Sequence, residues 1–456
     1  MNNFIDKLKE IVDLPSIIFD LNRQRPYLTD WRERYYGQCI AVILPNTINQ
    51  ISQIVKLCQE YSIGIVPQGG NTSLCGGATP INGNPNQIIL NLTNLNKIIN
   101  LDLNNNSLTV EAGCTLKQVR DIAKKHNLDF PLSIASEGSC QIGGNIATNA
   151  GGIHVIKYGT MRELVLGIEA ILPDGTLVNQ LNSLRKNNLN FDLKQLFIGS
   201  EGTLGIITKA VLKLSPIPHD HFTCLLGVND FSQIYKILNN LIQSFSVCAF
   251  EIINQTIQKI YNTQFENSIN LSAKWLILFE LESLNTKFDP LEVIKVIEHD
   301  IDLNNAIWAS NQKERDTIWQ YRENIPIAEK KYGIAIKHDI ALPISTIDNF
   351  IEVNQKNLLT HFPKAQIGIF GHFGDGNLHY NVFLDSSNIS DYEEKINQIV
   401  YKDVMAYKGS FSAEHGVGQL KKIWFYKYHD RISYNLAKSI KQMIDPHQIL
   451  NPGKIF

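Results

Sequence analysis

The chain has 456 residues, more than one ordinary hydrophobic core accommodates, so its length predicts two or three domains. Hydrophobic residues make up 44% and charged residues 19%, and the formal net charge is −2. This balance is typical of a globular protein and excludes the global positive field that draws in nucleic acid or anionic membranes. An anionic substrate would therefore have to be bound by local cations.

The first residues predict an amphipathic helix rather than a signal peptide. Phe4, Ile5, Leu8, Ile11 and Val12 recur at helical spacing, and acidic residues lie between them. No apolar run approaches the ~20 residues that a transmembrane helix needs. The seven cysteines are scattered without a Cys-x-x-Cys pair, so we expect reduced, mostly buried thiols in a cytoplasmic protein.

A glycine-rich loop follows the first strongly predicted elements. Residues 39–45 predict a strand, 47–61 a helix and 64–67 a second strand, and the sequence 68–77 is Gln-Gly-Gly-Asn-Thr-Ser-Leu-Cys-Gly-Gly. Paired glycines allow close backbone approach to a ligand, and successive amides form a nest for phosphate. The alternative interpretation is a flexible surface loop.

Two further glycine clusters weaken that alternative. Residues 138–152 contain five glycines among small and apolar residues with almost no charge, and residues 199–207 carry a third short cluster. A chain packed against a flat ligand needs such small side chains and backbone donors. Neither a Walker loop nor a Gly-x-Gly-x-x-Gly fingerprint is present, so the clusters indicate a dinucleotide bound outside a Rossmann fold.

The prolines in residues 214–218 mark the clearest predicted boundary. His219 and His221 follow it at a spacing that could ligate a metal, but in a polar linker we expect them to be solvated. Strands at 222–228 and 275–281 then alternate with helices at 232–245 and 290–301, which predicts an α+β domain.

Two cations in this second half are candidate substrate ligands. Residues 318–331 predict one helix that contains Arg322. Residues 334–343 predict a strand with His338 on one face and Lys337 and Asp339 on the other. The interpretation without a function is that Arg322 pairs with surface glutamates and that Lys337 faces solvent. An anionic substrate would favour a role for both cations in substrate binding, since arginine binds carboxylates bidentately.

Residues 369–379 predict a β-hairpin with a four-residue loop at 374–377, which would pair His372 directly with His379. Two facing imidazoles could bind one metal ion, or they could be ordinary sheet residues. About thirty residues later, Glu414 and His415 offer a carboxylate and a third imidazole. Neighbours on an extended segment point in opposite directions, so one would bind metal while the other moves a proton. Two histidines and a carboxylate with open positions form a catalytic metal set.

The three glycine segments, in this order and spacing, resemble the FAD-binding domain of the vanillyl-alcohol-oxidase-type, or PCMH-type, flavoproteins. The resemblance implies FAD, expected to be non-covalent, with the first segment on the pyrophosphate, the second along the ribityl chain and isoalloxazine, and the third on the adenosine side. The implied cofactor residues are Pro67, Gly69, Gly70, Asn71, Thr72, Ser73, Ser136, Gly138, Ser139, Gly143, Gly144, Asn145, Thr148, Asn149, Gly152, Glu201, Gly202, Ile206, Ile207 and Asn451.

The motifs Gly-His-x-Gly-Asp-Gly-Asn-Leu-His at 371–379 and Ser-Ala-Glu-His-Gly-x-Gly at 412–418, with Asp-Pro-His at 445–447, resemble the FAD-linked 2-hydroxyacid dehydrogenases. The resemblance implies a divalent metal, with zinc expected, on His372, His379 and Glu414, and His415 as the catalytic base. It also implies that Arg322 and Lys337 receive substrate carboxylates, as in the D-2-hydroxyglutarate branch.

One departure leaves the substrate side chain open: Pro326 stands where that branch often has a threonine. D-2-hydroxyglutarate is therefore the first expected substrate, and D-lactate or glycolate is the alternative. A flavin-binding structural subunit and a metallohydrolase are other classes, which the complete motif set and the glycine segments disfavour.

The predicted fold class is α+β: a PCMH-type two-subdomain FAD-binding domain, then an α+β substrate or cap domain, then a C-terminal helical segment that returns to the FAD domain. The predicted ranges are 1–33 for an N-terminal helical segment, 34–217 for the FAD domain, 218–420 for the substrate domain and 421–456 for the C-terminal segment. Electrons would pass to an electron-transfer flavoprotein or a quinone, because no second cofactor motif appears. No nucleic acid is expected, a homodimer is compatible with the sequence, and the expected location is cytoplasmic or peripheral to the inner face of the membrane.

Overall fold

A computed structural model describes residues 2–265, 269, 271, 273–385 and 390–456. Met1, the first residue of the predicted N-terminal segment, lies outside them. The chain forms two compact units: a first unit of Met1–Gly151, Gly159–Pro216 and Glu414–Phe456, and a second unit of Gly152–Tyr158 and Ile217–Ala413. Glu414 and His415, which fall in the predicted range 218–420, thus belong to the first unit.

Strands of the described residues are numbered in chain order. They are β1 (Ile17–Ile18), β2 (Val42–Ile43), β3 (Gly64–Gln68), β4 (Gln87–Asn91), β5 (Ile98–Asp102), β6 (Ser107–Glu111), β7 (Leu128–Asp129), β8 (Val165–Ile171), β9 (Leu177–Gln180), β10 (Ile206–Lys213), β11 (Ser215–Pro216), β12 (Asp220–Val228), β13 (Val247–Asn254), β14 (Trp275–Ser283), β15 (Ala306–Trp308), β16 (Ala335–Ala341), β17 (Gln366–Gly371) and β18 (Asn377–Phe383).

Helices are numbered in the same way. They are α1 (Asn2–Ile11), α2 (Leu21–Leu28), α3 (Ile48–Glu60), α4 (Leu116–Lys124), α5 (Ile142–Ala147), α6 (Val155–Tyr158), α7 (Met161–Leu164), α8 (Lys194–Phe197), α9 (Phe231–Ser244), α10 (Gln255–Gln264), α11 (Pro290–Ile297), α12 (Gln312–Glu323), α13 (Ile325–Tyr332), α14 (Ile347–His361), α15 (Ser390–Ala406), α16 (Lys422–Tyr428) and α17 (Arg431–Ile444). No helix of the described residues is both long and apolar enough to cross a membrane.

The first unit contains two main sheets. One has the order β1-β2-β4-β3, in which β4 runs parallel to both β2 and β3, and the other is the antiparallel sheet β5-β6-β10-β8-β9. The start of α3 is stabilised by Thr47 and Gln50, which form a reciprocal capping box at its first turn. The C-terminal chain extends the first sheet, because the amide of Ile65 donates to Ile449 O and the amide of Asn451 donates to Ile65 O, both at 2.7 Å.

The second unit is organised around one antiparallel sheet of seven strands, in the order β15-β12-β14-β13-β17-β18-β16. One side is covered by α10, α12 and α13, whose apolar residues join the strands in a single buried cluster. β13 is buried along its whole length and β14 along all but its ends. Their side chains must therefore be apolar or fully paired.

Two predictions for this unit are wrong in detail. The single helix expected at 318–331 is two helices, α12 and α13, because Pro326 lies in the first turn of α13, where a proline begins a helix but cannot continue one. The expected hairpin forms, but its register differs: His379 pairs with Phe370, and His372 lies in the connection. A short 3-10 turn at Phe373–Asp375, closed by Gly376 at φ 83°, lengthens that connection.

Candidate active site

The first unit contains a cavity of about 470 Å³ around which the three glycine segments meet. β3 delivers the first segment, α5 lies within the second, and the third ends at the start of β10. Glu414 and His415 also line the cavity, together with Trp31. The lining residues that the sequence had marked for cofactor binding are Pro67, Gly69, Gly70, Asn71, Thr72, Ser73, Ser136, Ser139, Gly143, Gly144, Asn145, Thr148, Glu201, Gly202, Ile206 and Ile207.

The loop after β3 presents backbone donors to this cavity. Among the described residues, no acceptor takes a hydrogen bond from the amides of Gly70, Asn71, Thr72 or Ser73. No lysine or arginine of the described residues lines the cavity, so a diphosphate there would be bound by such amides. Buried Gln141 supplies a further polar atom in the wall, because its Oε1 has no hydrogen-bond partner in the described part of the chain.

Glycine is required where these segments touch. A Cβ on Gly70 would lie 1.9 Å from Ser139 O, and a Cβ on Gly143 would lie 2.8 Å from the Cβ of Ala112. Gly144 differs, because a Cβ there would meet no atom of the described residues within 4 Å outside its own helix, although the residue lines the cavity. Close backbone packing, donor-rich walls and an open space suit a flat dinucleotide such as FAD.

Glu201 fixes the segment that carries His415. Its carboxylate accepts hydrogen bonds from the amides of Val417 at 2.6 Å and Gly418 at 2.8 Å, and burial raises its pKa. Residues 413–415 form bends rather than the extended segment expected from the sequence, and Gly416 has φ 78°. Glu201 therefore contributes by holding the His415 backbone against the cavity wall.

Asn451 acts on the cavity through backbone contacts, since it is not among the lining residues. Its side-chain amide donates to Gly77 O at 3.0 Å and to Glu201 O at 2.7 Å. Lys454 donates to the same Gly77 O and to Asn451 Oδ1, and burial, partly offset by Glu201, lowers its pKa to about 7.

Three other residues that the sequence had marked for FAD lie outside the lining set. Asn149 accepts hydrogen bonds from Thr160 and from the amide of Arg162. Gly138 faces open space, and Gly152 belongs to the second unit.

The second unit places the two hairpin histidines together despite the altered register. The ring centroids of His372 and His379 are 5.5 Å apart. His372 Nδ1 forms a short hydrogen bond with Glu251, a fully buried carboxylate on β13. An Nδ1–H donated to a carboxylate leaves Nε2 as the metal-binding nitrogen of a histidine.

Arg322 is buried rather than on the surface. Its Nε donates to the second oxygen of Glu251, and its guanidinium lies 4.8 Å from the ring centroid of Phe370. Burial alone would raise the pKa of Glu251, but the charges of Arg322 and His372 more than offset it and hold that pKa at about 2. Arg322, Glu251 and His372 thus form one buried ionic cluster.

Lys337 lies on β16, which pairs with the second hairpin strand, β18. On β16 it is opposite Asn381, and Asp339 is opposite His379. Its Nζ donates to Glu329 at 2.8 Å, and Asn381 donates to the other oxygen of Glu329 at 2.6 Å. Both predicted substrate cations are therefore positioned by buried carboxylates.

The sequence predictions missed Glu251, Glu329 and Glu280. Glu251 interrupts the apolar run of β13 and Glu280 that of β14, and a charge inside a buried strand implies a buried partner. That signal could have found both residues, but it does not identify the partner.

The solvated environment predicted for His219 and His221 agrees with the exposed His219 but is wrong for His221. His221 lies on β12 with its Nδ1 3.6 Å from Glu280, and burial lowers its pKa. It forms a group of possible metal ligands with Cys248 and Glu282. Arg315 pairs with Glu280 and Lys157 pairs with Glu282, so cations of the chain already balance both carboxylates. His221 Nδ1 has no hydrogen-bond partner among the described residues.

Comparisons with known proteins agree with this architecture. Residues 217–455 match the family described as FAD linked oxidases, C-terminal domain, and residues 39–180 match the FAD binding domain. The mitochondrial D-2-hydroxyglutarate dehydrogenase of Arabidopsis thaliana is 33% identical, over 99% of this chain and 81% of that protein. The D-2-hydroxyglutarate–pyruvate transhydrogenase of Saccharomyces cerevisiae is 31% identical, over 95% of this chain and 91% of that protein.

A solved structure, p-cresol methylhydroxylase with bound substrate, matches with a TM-score of 0.75 at 17% identity, over 100% of this chain and 96% of that one. At this identity the likeness concerns the fold, and it confirms the α+β, PCMH-type architecture predicted from the sequence. The chain therefore belongs to the FAD-linked oxidases, in the family of FAD-linked 2-hydroxyacid dehydrogenases.

Proposed function

We propose that this protein oxidises a D-2-hydroxy acid, with D-2-hydroxyglutarate as the substrate, to the 2-oxo acid, using FAD and a divalent metal. The observation that carries the proposal is the position of His415 in the wall of the cavity that Gly144 and the 69–74 loop also line. A near-neutral imidazole is a suitable base for a hydroxyl proton. The names of both relatives support the substrate.

The cofactor residues proposed are those residues of the three glycine segments that line the cavity, and Asn451 supports them from behind. FAD supplies a hydride acceptor, and the divalent ion supplies a Lewis acid that lowers the pKa of the substrate hydroxyl. The amides of residues 70–73 bind the diphosphate, and the close-packed glycines keep the walls flat. Glu201 holds the chain at Val417 and Gly418, so that His415 takes the hydroxyl proton from a fixed position.

His372, His379 and Glu414 are the proposed metal ligands, and zinc is the expected metal. The 5.5 Å separation of the two imidazoles supports the pair, and the hydrogen bond from His372 Nδ1 to Glu251 supports Nε2 as the ligand atom. Two nitrogens and one carboxylate oxygen leave coordination positions for a substrate.

Arg322 and Lys337 are the proposed carboxylate ligands of the substrate. Glu251 holds Nε of Arg322, which fixes the plane of the guanidinium and leaves its Nη groups to donate to a carboxylate. Glu329 accepts a hydrogen bond from Lys337 Nζ, and the lysine side chain keeps 35% of its surface exposed. Two placed cations favour a dicarboxylate over a monocarboxylate.

The test of the base is His415→Ala. The variant should purify yellow with FAD bound, and the rate of anaerobic flavin reduction by substrate should fall by about 100-fold or more, the usual effect of removing a general base. His299→Ala is the matched control, because its side chain is 91% exposed and it has no place in the site. Flavin bleaching at a near-normal rate in the His415 variant would show that another group takes the proton.

The test of the substrate is an anaerobic titration of the yellow protein with D- and L-2-hydroxyglutarate, D-lactate and glycolate. We expect the D-dicarboxylate to reduce the flavin at the lowest concentration. Preferred reduction by D-lactate or glycolate would instead support the monocarboxylate alternative. Oxygen-free re-oxidation by a quinone, an electron-transfer flavoprotein or pyruvate, the acceptor in the yeast relative's name, would then identify the acceptor.

A further inference from the structure

The two C-terminal helices of the first unit, α16 and α17, leave large apolar side chains in solvent. Five of them are between 52% and 78% exposed, although the helices pack well enough to bury Trp424 and Tyr434. Clustered exposure of this kind marks an interaction surface rather than ordinary surface composition. The five exposed side chains are Ile423, Tyr426, Ile432, Leu436 and Met443.

On α17 the exposed apolar residues form one stripe, and the exposed cations lie on one flank of the helix. At about 100° per residue, Ile432, Leu436 and Met443 fall within an arc of about 40°, roughly opposite the side that holds the buried Tyr434 and Lys441. The exposed cations of this helix lie about 130° from the centre of the stripe and within about 20° of each other. They are Arg431 and Lys438.

The shorter helix α16 adds to both features. The Arg431 guanidinium lies 4.2 Å from the Tyr426 ring centroid, which joins the start of α17 to α16. Burial lowers the pKa of Lys422, and the nearby charge of Lys438 lowers it further. The two lysines are therefore close together. We call this surface the C-terminal patch: Ile423, Tyr426, Ile432, Leu436 and Met443 with Lys422, Lys427, Arg431 and Lys438.

The patch is cationic in a chain whose formal net charge is −2. Residues 421–444 contain six lysines and arginines and a single acidic residue, Asp430. Two of the six, Lys421 and Lys441, are buried, and the other four belong to the patch. Asp430 caps α17 by accepting the amide of Ser433 at 2.8 Å, so its charge is committed to the helix terminus. A partner that complements this surface is therefore anionic.

We propose that the C-terminal patch binds the surface of an anionic lipid bilayer, with Ile432, Leu436 and Met443 entering the acyl boundary and the cations contacting lipid phosphates. A helix with an apolar face and Lys/Arg on its polar side lies in the interface plane, where long cationic side chains reach the headgroups and an exposed tyrosine sits at headgroup level. A second copy of the chain fits less well, because a two-fold contact through the apolar stripes would bring like charges together. The proposal does not depend on the reaction, since it concerns binding alone.

The experiment is co-sedimentation of the FAD-loaded protein with phosphatidylcholine vesicles and with vesicles containing about one third phosphatidylglycerol. We expect binding only to the anionic vesicles, weakened at high salt, where surface charges are screened. Arg431→Glu/Lys438→Glu should weaken binding by about 100-fold or more, since each cation near such a surface contributes about fivefold and reversal doubles the loss. Ile432→Ser/Leu436→Ser/Met443→Ser should abolish it at low and high salt alike.

Matched controls are Lys124→Glu/Lys125→Glu, exposed at the end of α4, and Leu189→Ser/Phe191→Ser, whose side chains are more exposed than any apolar side chain of the patch. Neither should change binding, and all variants should keep the flavin spectrum and melting midpoint. Equal binding to both vesicle types, or no binding, would overturn the proposal. So would a patch-dependent dimer by analytical ultracentrifugation, which would assign the surface to a second copy.

Discussion

The cavity of the first unit and the charged cluster of the second unit use opposite means to position a ligand. The cavity is built from backbone amides, glycines and small polar residues, and none of its described lining residues is a lysine or arginine. The cluster is built from long side chains, with Arg322 and Lys337 held by the buried carboxylates Glu251 and Glu329. A wall without cationic side chains can recognise shape and phosphate through its backbone amides, whereas a paired ionic cluster fixes the direction of individual donors.

The two regions should also fail differently when altered. In a cavity made of backbone, small side-chain changes should leave the stability of the protein nearly constant. They should lower mainly the affinity for the cofactor. A buried ionic cluster should lose stability as soon as one partner is removed, because the remaining charges stay buried without compensation.

The largest effect is expected for Glu251→Ala. This change leaves Arg322 and His372 buried without their shared carboxylate, so the free energy of unfolding should fall by ~3–5 kcal/mol. Urea unfolding followed by tryptophan fluorescence measures the loss, and flavin reduction by substrate should fall with it. Glu352→Ala, exposed on α14, is the control and should change stability by less than ~0.5 kcal/mol. A Glu251 variant as stable as that control would show that the cluster is not held by this carboxylate.

The contrast between the regions also explains what sequence alone could reveal. The cavity residues lie in short continuous segments whose glycines are visible as patterns, so most of the lining was predicted before any fold was known. The partners of Arg322 and His372 come from β13, about seventy residues before the arginine, and no local pattern joins them. The hairpin was predicted, yet its register was not, because a 3-10 turn at Phe373–Asp375 has no strong sequence signal. Pro326 indicates a break before α13, whereas the apolar spacing of residues 318–331 favours a single helix.

The next effect is a pH dependence at Glu280, the second buried carboxylate of the sheet. Burial would raise its pKa, but hydrogen bonds from Arg315, the charge of that arginine and donors from Thr223 and Trp319 lower it from 4.5 to about 2. A depressed folded-state pKa contributes stability above the unfolded value, and that stability is lost as pH falls from 4.5 towards about 2.

Glu280→Gln should therefore flatten the acid side of the stability curve. Between about pH 5 and pH 3, the unfolding free energy of the wild type should fall by ~2 kcal/mol more than that of the variant. Urea midpoints at several pH values measure the two slopes, and Glu352→Gln should follow the wild type. Parallel slopes for Glu280→Gln and wild type would mean that Glu280 has no depressed pKa in the folded chain.

The smallest effect is expected in the cavity, where Gly144→Ala adds one methyl group to a space that the ligand is proposed to fill. Outside α5 itself, the described residues place no atom within 4 Å of the added methyl group, and alanine favours a helix. The unliganded protein should therefore be as stable as the wild type or slightly more stable. FAD affinity should fall by about tenfold, a loss of ~1.4 kcal/mol. Titration of the flavin-free protein, followed by flavin fluorescence, measures the affinity.

Gly138→Ala is the matched control, because Gly138 also faces open space but does not line the cavity. The FAD affinity of this variant should be unchanged. An equal loss in both variants would mean that the segment acts through its flexibility, whereas a loss confined to Gly144 would place the ligand against this wall.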